Sequence, residues 1–204
     1  MTYDATKLLG SPVGTMSVMA AESISDSEPI SLEQAKAHLR QPFDDDNDYI
    51  SALIVAARQM AEGRLNRTLK QRTLRAGFDL MSSSYTLRKP PIISVDSVKL
   101  MDVYGNETAV DATDYRVSTY FEPGMLVGAP GSTWSNSVRS GSVLIVEYTA
   151  GYDAAQVPQP IIQWMLLAIG TMYENRETMS AGVQIYDMPA DFMSWLLQPY
   201  MVYE

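Results

Sequence analysis

Asp44, Asp46 and Asp48 stand at alternate positions in "FDDDNDYISALIV", the spacing at which the first carboxylates of a calcium loop approach the ion. The remainder of such a loop is missing. Its sixth position falls on Tyr49, where the sharp turn needs glycine, and its twelfth on Val55, where a bidentate glutamate belongs. The three acids therefore read as a solvated loop whose charge complements the dipole of a following helix. His38 is the only histidine and there is no cysteine, so the imidazole has no second imidazole or thiolate with which to share a metal or a nucleophile. Glu174 and Glu177, either side of Arg176, read as ion-pair partners at a helix end. The clusters "GSPVG" and "GAPGS" fit neither a phosphate loop nor a dinucleotide fingerprint, and no Gly-x-Ser-x-Gly elbow or Ser-x-x-Lys occurs. Arg58, Arg64, Arg67, Arg72 and Arg75 form a loose basic stretch, read as a mixed solvated face before a docking site for acidic partners. No catalytic, cofactor-binding or metal-binding residue is assigned.

The elements that would position these residues follow from the pattern. The 204 residues are 46% apolar, enough for a substantial core, and carry a formal charge of -9. That charge opposes tight phosphate binding, which needs clustered Lys and Arg. Absence of cysteine rules out a disulfide framework. The start of the chain lacks the charged and continuously apolar regions of a signal peptide, and no export is expected. The longest apolar run, 161–173, is shorter than the roughly 20 residues a bilayer span needs, so no membrane contact is expected.

Residues 1–29 show no sustained period and are expected to form a flexible arm. Ser31, with Gln34 three residues on, predicts a capped short helix ending before Pro42. Ile50, Leu53, Ile54, Ala57, Ala61 and Leu65 predict a second, amphipathic helix beginning at Asp46 or Asn47 and stopping at Asn66. From Arg72 the period falls to two, giving short strands separated by "SSS", "KPP", "YGN", "EPG" and "APGS", with the clearest hairpin at Tyr104-Gly105-Asn106. Pro158 and Pro160 then open a helix that is apolar around most of its circumference. A last short helix covers 189–198. The expected fold is α+β: an α-helical bundle formed by the N- and C-terminal helices, with a sizeable antiparallel β insertion. Its divisions are the arm at 1–29, a helical core at 30–70 and 152–180, the β insertion at 71–151, and a C-terminal helix and tail at 181–204.

Three segments in this order resemble one family, the bacteriophage head-tail connector proteins, also called adaptor or head-completion proteins and in some members possible DNA-packaging proteins. They are "ISLEQAKAHLRQPFDDDNDYISALIVAARQMAEGRLNRTL" at 30–69, "LRKPPIISVDSVKLMD" at 87–102 and "VEYTAGYDAAQVPQPIIQWMLLAIGTMYENRE" at 146–177. The resemblance implies a structural, non-enzymatic virion protein of the head-tail neck, made in the bacterial host cytoplasm and needing no cofactor. It implies a homo-oligomeric ring of about twelve copies joining the portal protein to a tail or stopper protein, with DNA passing through the hole unread. An acidic lumen would let a polyanion slide. In that setting Ile162, Trp164, Met165, Leu166, Ile169, Met172 and Tyr173 are candidate subunit contacts. Met193, Trp195, Leu196, Leu197, Tyr200, Met201 and Tyr203 form a candidate portal-binding tail, because aromatics and Met with few charges suit interfaces. The alternatives are a stopper-like ring elsewhere in the neck or tail, and a metal-dependent DNA-processing enzyme using Asp44 to Asp48. The arm and the large β insertion distinguish this chain from compact members of the family.

Overall fold

Ser31 opens the first helix as its spacing from Gln34 predicts. In a computed structural model describing residues 17–24, 27–79, 84–120, 122–130, 142–176 and 190–203, its Oγ accepts from Gln34 N at 3.1 Å, capping α1 (Leu32–Leu39). Arg40 ends α1 in the left-handed region at φ 54°, and Gln41 N donates back to Lys36 O at 3.0 Å. α2 (Asn47–Leu65) starts where the Asp46 carbonyl accepts from Ile50 N and stops at Asn66, also left-handed at φ 55°. Its buried side chains recur three and four residues apart from Ile50 to Leu65, the stripe that a core-facing helix needs.

The chain divides into two units. The helical unit comprises Ser23–Arg72, Lys89–Pro91 and Ala150–Glu204. It holds α1, α2, α3 (Gln159–Glu174) and α4 (Ala190–Leu197). α3 packs against α2, α1 and α4, and one apolar cluster runs through all four, from Ile30 to Leu197. Pro158 caps α3 and Pro160 sits in its first turn, where a missing N–H costs nothing. The Pro90–Pro91 bond is cis; Pro90 O accepts from Thr68 N at 3.1 Å and Pro91 O from Gly151 N at 3.0 Å, which ties this short segment into the helical unit. Gly151 has φ 120°, and a Cβ there would lie 2.7 Å from Lys70 O, so only glycine fits.

The β unit comprises Met1–Glu22, Thr73–Arg88 and Ile92–Thr149. Its strands are β1 (Ser17–Ser23), β2 (Arg72–Asp79), β3 (Ser84–Leu87), β4 (Ile92–Met101), β5 (Glu107–Ala109), β6 (Tyr115–Ser118), β7 (Gly124–Gly128) and β8 (Val143–Ala150). Five form one sheet in the order β1-β2-β8-β4-β5, and three form another in the order β3-β7-β6. β2 alternates, burying Leu74, Ala76 and Phe78, whereas β8, flanked on both sides, buries the run Leu144, Ile145 and Val146 and then Tyr148. β4 and β5 are antiparallel, with Leu100 opposite Thr108. β7 pairs antiparallel with both β3 and β6, setting Leu126 against Tyr85 on one side and Val117 on the other. Phe78 and Tyr85 meet with ring centroids 5.1 Å apart, and the buried Tyr148 donates its hydroxyl to Arg88 O at 2.8 Å.

The observed class is α+β, as expected. Ser17–Ser23 is a strand within the segment expected to form an arm. Its hydrogen bonds come from a distant partner in sequence, β2, which local periodicity does not register. Residues 1–16 of that arm lie outside the described residues.

Candidate interaction surfaces

The acidic loop is built to hold itself together. Lys36 Nζ lies 2.6 Å from Asp44 Oδ1, and Asn47 Nδ2 donates to the same oxygen at 3.1 Å; these bonds hold the Asp44 carboxyl below its ordinary value of 3.8. Asp46 turns toward α3. Its carboxylate accepts the Tyr173 hydroxyl, Arg176 Nη2 at 2.7 Å and Gln41 Nε2 at 3.4 Å, and its pKa is lowered chiefly by Tyr173 and then by Arg176. The Arg176 guanidinium lies 4.7 Å from the centroids of both Tyr49 and Tyr173. Asp48 is exposed in the first turn of α2. Two of the three alternating carboxylates therefore pair with different cations, and no group of three His, Cys, Asp or Glu among the described residues could hold a metal ion. His38 is exposed on α1, with Nε2 3.7 Å from the position a Cβ on Gly170 of α3 would take. Arg176 pairs with Asp46 rather than with its sequence neighbours, and Glu177 lies outside the described residues.

The basic stretch is divided: Arg64 and Arg75 are exposed and Arg72 is partly so, while its other two members turn inward. Arg58 and Arg67 are buried. Arg58 Nε contacts Glu28 at 2.7 Å and its Nη1 contacts Glu62 at 2.9 Å; Glu62 also takes Arg72 at 2.7 Å and Leu69 N at 2.8 Å, while Lys70 reaches Glu28 at 3.1 Å. This network ties the segment before α1, the body of α2 and the chain leading into β2. Arg67 Nε donates to Tyr200 O and Nη1 to the Tyr152 hydroxyl at 3.3 Å; Arg64 lies 5.4 Å from the Trp164 ring centroid, and Arg75 pairs with Glu107 at 2.6 Å. The i,i+4 spacing of Arg58 and Glu62 was the available signal for part of this network. Glu28 was not legible, because its partners come from other segments.

The apolar helix proves to be enclosed by its own chain. Ile162, Trp164, Met165, Leu166 and Ile169 are buried in the helical core by α1, α2 and α4. A narrow stripe of Gln163, Leu167, Gly170, Thr171 and Glu174 remains at least partly open. Met172 and Tyr173 are half-buried against the core edge. The C-terminal residues divide in the same way. Leu197 is buried, and Leu196 and Tyr200 pack partly on the core. Val202 N donates to Leu65 O at 3.0 Å. Trp195 is 69% exposed and Tyr203 74%, with Met201 also exposed; the Met193 side chain lies outside the described residues. No helix among the described residues is long and apolar enough to cross a membrane.

Residues 29–110, from the approach to α1 through β5, match the model of the Phage gp6-like head-tail connector protein family. The match spans the Glu28-facing part of the charge network and the Asp44 to Asp48 loop, and stops before β6, β7, β8, α3 and α4. Solved structures extend the likeness in fold over nearly the whole chain. A chain from the neck of an empty gene transfer agent (GTA) particle computed with C6 symmetry has a TM-score of 0.72 at 20% identity, covering 92% of this chain and 96% of its own. One from the virion of a native GTA particle gives 0.69 at 21% identity over 90% and 95%. One from the neck of a native GTA particle computed with C12 symmetry gives 0.63 at 23% identity over 91% and 97%. No curated protein matches the sequence.

Proposed function

We propose that this protein is a structural component of the neck of a phage-like particle. In this reading it forms a closed ring of about twelve copies between the portal protein and the tail or stopper, and DNA passes through the ring without being read. The observation carrying the reading is the connector-family match over 29–110, supported by likeness in fold across nine-tenths of the chain to chains of GTA necks and virions. The -9 charge suits a passage that repels phosphate, and the role is architectural rather than enzymatic. Assembly would take place in the host cytoplasm and the product would be located in the virion neck.

The exposed Trp195, Met201 and Tyr203 are the portal-facing candidates of the C-terminal segment, which Leu197 and Val202 fasten to the helical unit. Mixing the purified protein with its portal, followed by sedimentation and negative-stain microscopy, tests the proposal. A ring capping the narrow end of the portal is the expected result. Failure to bind portal at micromolar concentration, together with binding to the tail tube, would replace it with a tail-side ring.

A further inference from the structure

The end of α3 meets the start of α2 in an aromatic cage that already holds a cation. Tyr49, in the first turn of α2, and Tyr173, in the last turn of α3, stand with ring centroids 6.0 Å apart and planes inclined at 40°. The Arg176 guanidinium lies 4.7 Å from each centroid, and its Nη2 donates to Asp46 at 2.7 Å. Two ring faces and a carboxylate are the groups that recognise an alkylguanidinium: the rings take its flat, weakly hydrated faces and the carboxylate takes its N–H edge.

The walls of this cage do not depend on their occupant. Tyr49 donates its hydroxyl to Met172 O at 3.3 Å, Tyr173 donates its own to Asp46, and Gln41 Nε2 donates to the Tyr173 hydroxyl at 3.0 Å. Asp46 precedes α2 but makes no side-chain capping bond there, and its carboxylate turns to α3 instead. Nor does α3 depend on Arg176. Asn175 closes the helix, its N and Nδ2 both donating to Thr171 O, at 3.1 and 2.8 Å. Arg176 lies beyond that cap with its side chain 49% exposed, whereas Arg58 is held at 10% exposure between two carboxylates. Arg176 can therefore leave while the cage and the helix stay in place.

We infer that Asp46, Tyr49 and Tyr173 form a receptor for an arginine side chain of a partner protein, and that Arg176 fills it in the free chain as a built-in competitor. A partner's arginine gains the same two ring faces and the same carboxylate. Presented on a surface that is already bound, it competes at a raised local concentration, and Arg176 returns to water at little cost because it is already half exposed. Nothing in the cage depends on ring formation, so the ring reading and this one fail separately.

Titration with N-acetylarginine amide, followed by the ring proton resonances of Tyr49 and Tyr173, is the test. Arg176→Ala empties the cage, and saturable binding with a Kd of about 1–50 mM is expected, the range that a few contacts to a small cation reach. The wild type, whose own arginine is tethered at the site, should bind at least about tenfold more weakly. Arg176→Ala combined with Asp46→Asn should lose a similar factor, and the lysine analogue should bind the emptied cage less tightly than the arginine compound. If Arg176→Ala loses helical circular dichroism, Arg176→Gln, which keeps the length of the side chain without its charge, takes its place. Equal binding to the wild type and to the emptied cage, binding that survives loss of the Asp46 charge, equal binding of the lysine analogue, or no binding to the emptied cage at about 100 mM would each overturn the assignment.

Discussion

Glu62 offers the sharpest test of how the helical unit is held together. Its side chain is 9% exposed, and it accepts from Arg58, Arg72 and Leu69 N. Glu62→Ala leaves a buried backbone N–H unpaired, worth about 1–3 kcal/mol, and removes the counter-charge of two guanidinium groups. Loss of one partner of a fully buried ion pair costs about 3–5 kcal/mol. Here the cost is smaller, because Arg58 keeps Glu28 and Arg72 is 26% exposed, so the two effects together come to about 3–4 kcal/mol. Glu62→Gln keeps an amide oxygen for one donor and should lose roughly half as much. Because the chain has two units, the assay must report on one of them. Trp164 is buried in the helical core, so urea unfolding followed by its fluorescence, with Trp134 and Trp195 changed to Phe, reads that unit. At a urea slope of about 2 kcal/mol/M the midpoint should fall by about 1.5–2 M for Glu62→Ala. A double-mutant cycle with Arg58→Ala should show a coupling of at least about 1 kcal/mol. A loss below about 1 kcal/mol for Glu62→Ala, the range of solvated pairs, would refute the view that this network is a buried lock.

Gly151→Ala should destabilise the helical unit by about 3 kcal/mol or more, because the backbone conformation is strained for any side chain and the Cβ would collide with Lys70 O; Gly63→Ala, where the Cβ meets open space on α2, should instead be neutral or stabilising by up to about 1 kcal/mol. Thermal unfolding of the pair compares them directly. Acid should weaken the junction between the α1–α2 loop and α3. Asp46 has a folded pKa below 3.8, so its contribution is complete above that value and is lost as pH falls from about 3.8 through the lowered folded value; Asp46→Asn should flatten the acid limb of a stability–pH profile that remains steep in the wild type.

Much of the helical unit was legible because its signals are local. The Ser31 cap, the α2 stripe from Ile50 to Leu65, the Asn66 stop and the Pro158–Pro160 start each lie within one or two turns of the backbone they govern. The strands from β2 to β8 and the turn at Gly105 follow from alternation and turn chemistry for the same reason. β1 was hidden, since its order depends on pairing with β2 and not on its own sequence.

The surfaces depended on the tertiary structure. Hydrophobicity alone marks Trp164 and Trp195 as apolar residues of similar interest, yet one is enclosed and the other is 69% exposed. The sequence by itself determined the helices and the strands from β2 to β8, that the chain is acidic and that no cysteine chemistry is possible. Only the tertiary structure decided which apolar residues stay uncovered, that Asp46 serves Tyr173 and Arg176 in place of a metal, and that Glu28, Arg58, Glu62, Lys70 and Arg72 converge. The physical reason is that period and capping are set by neighbours along the chain. Burial and ion pairing are set by neighbours in space, and those are brought together only when the chain has folded.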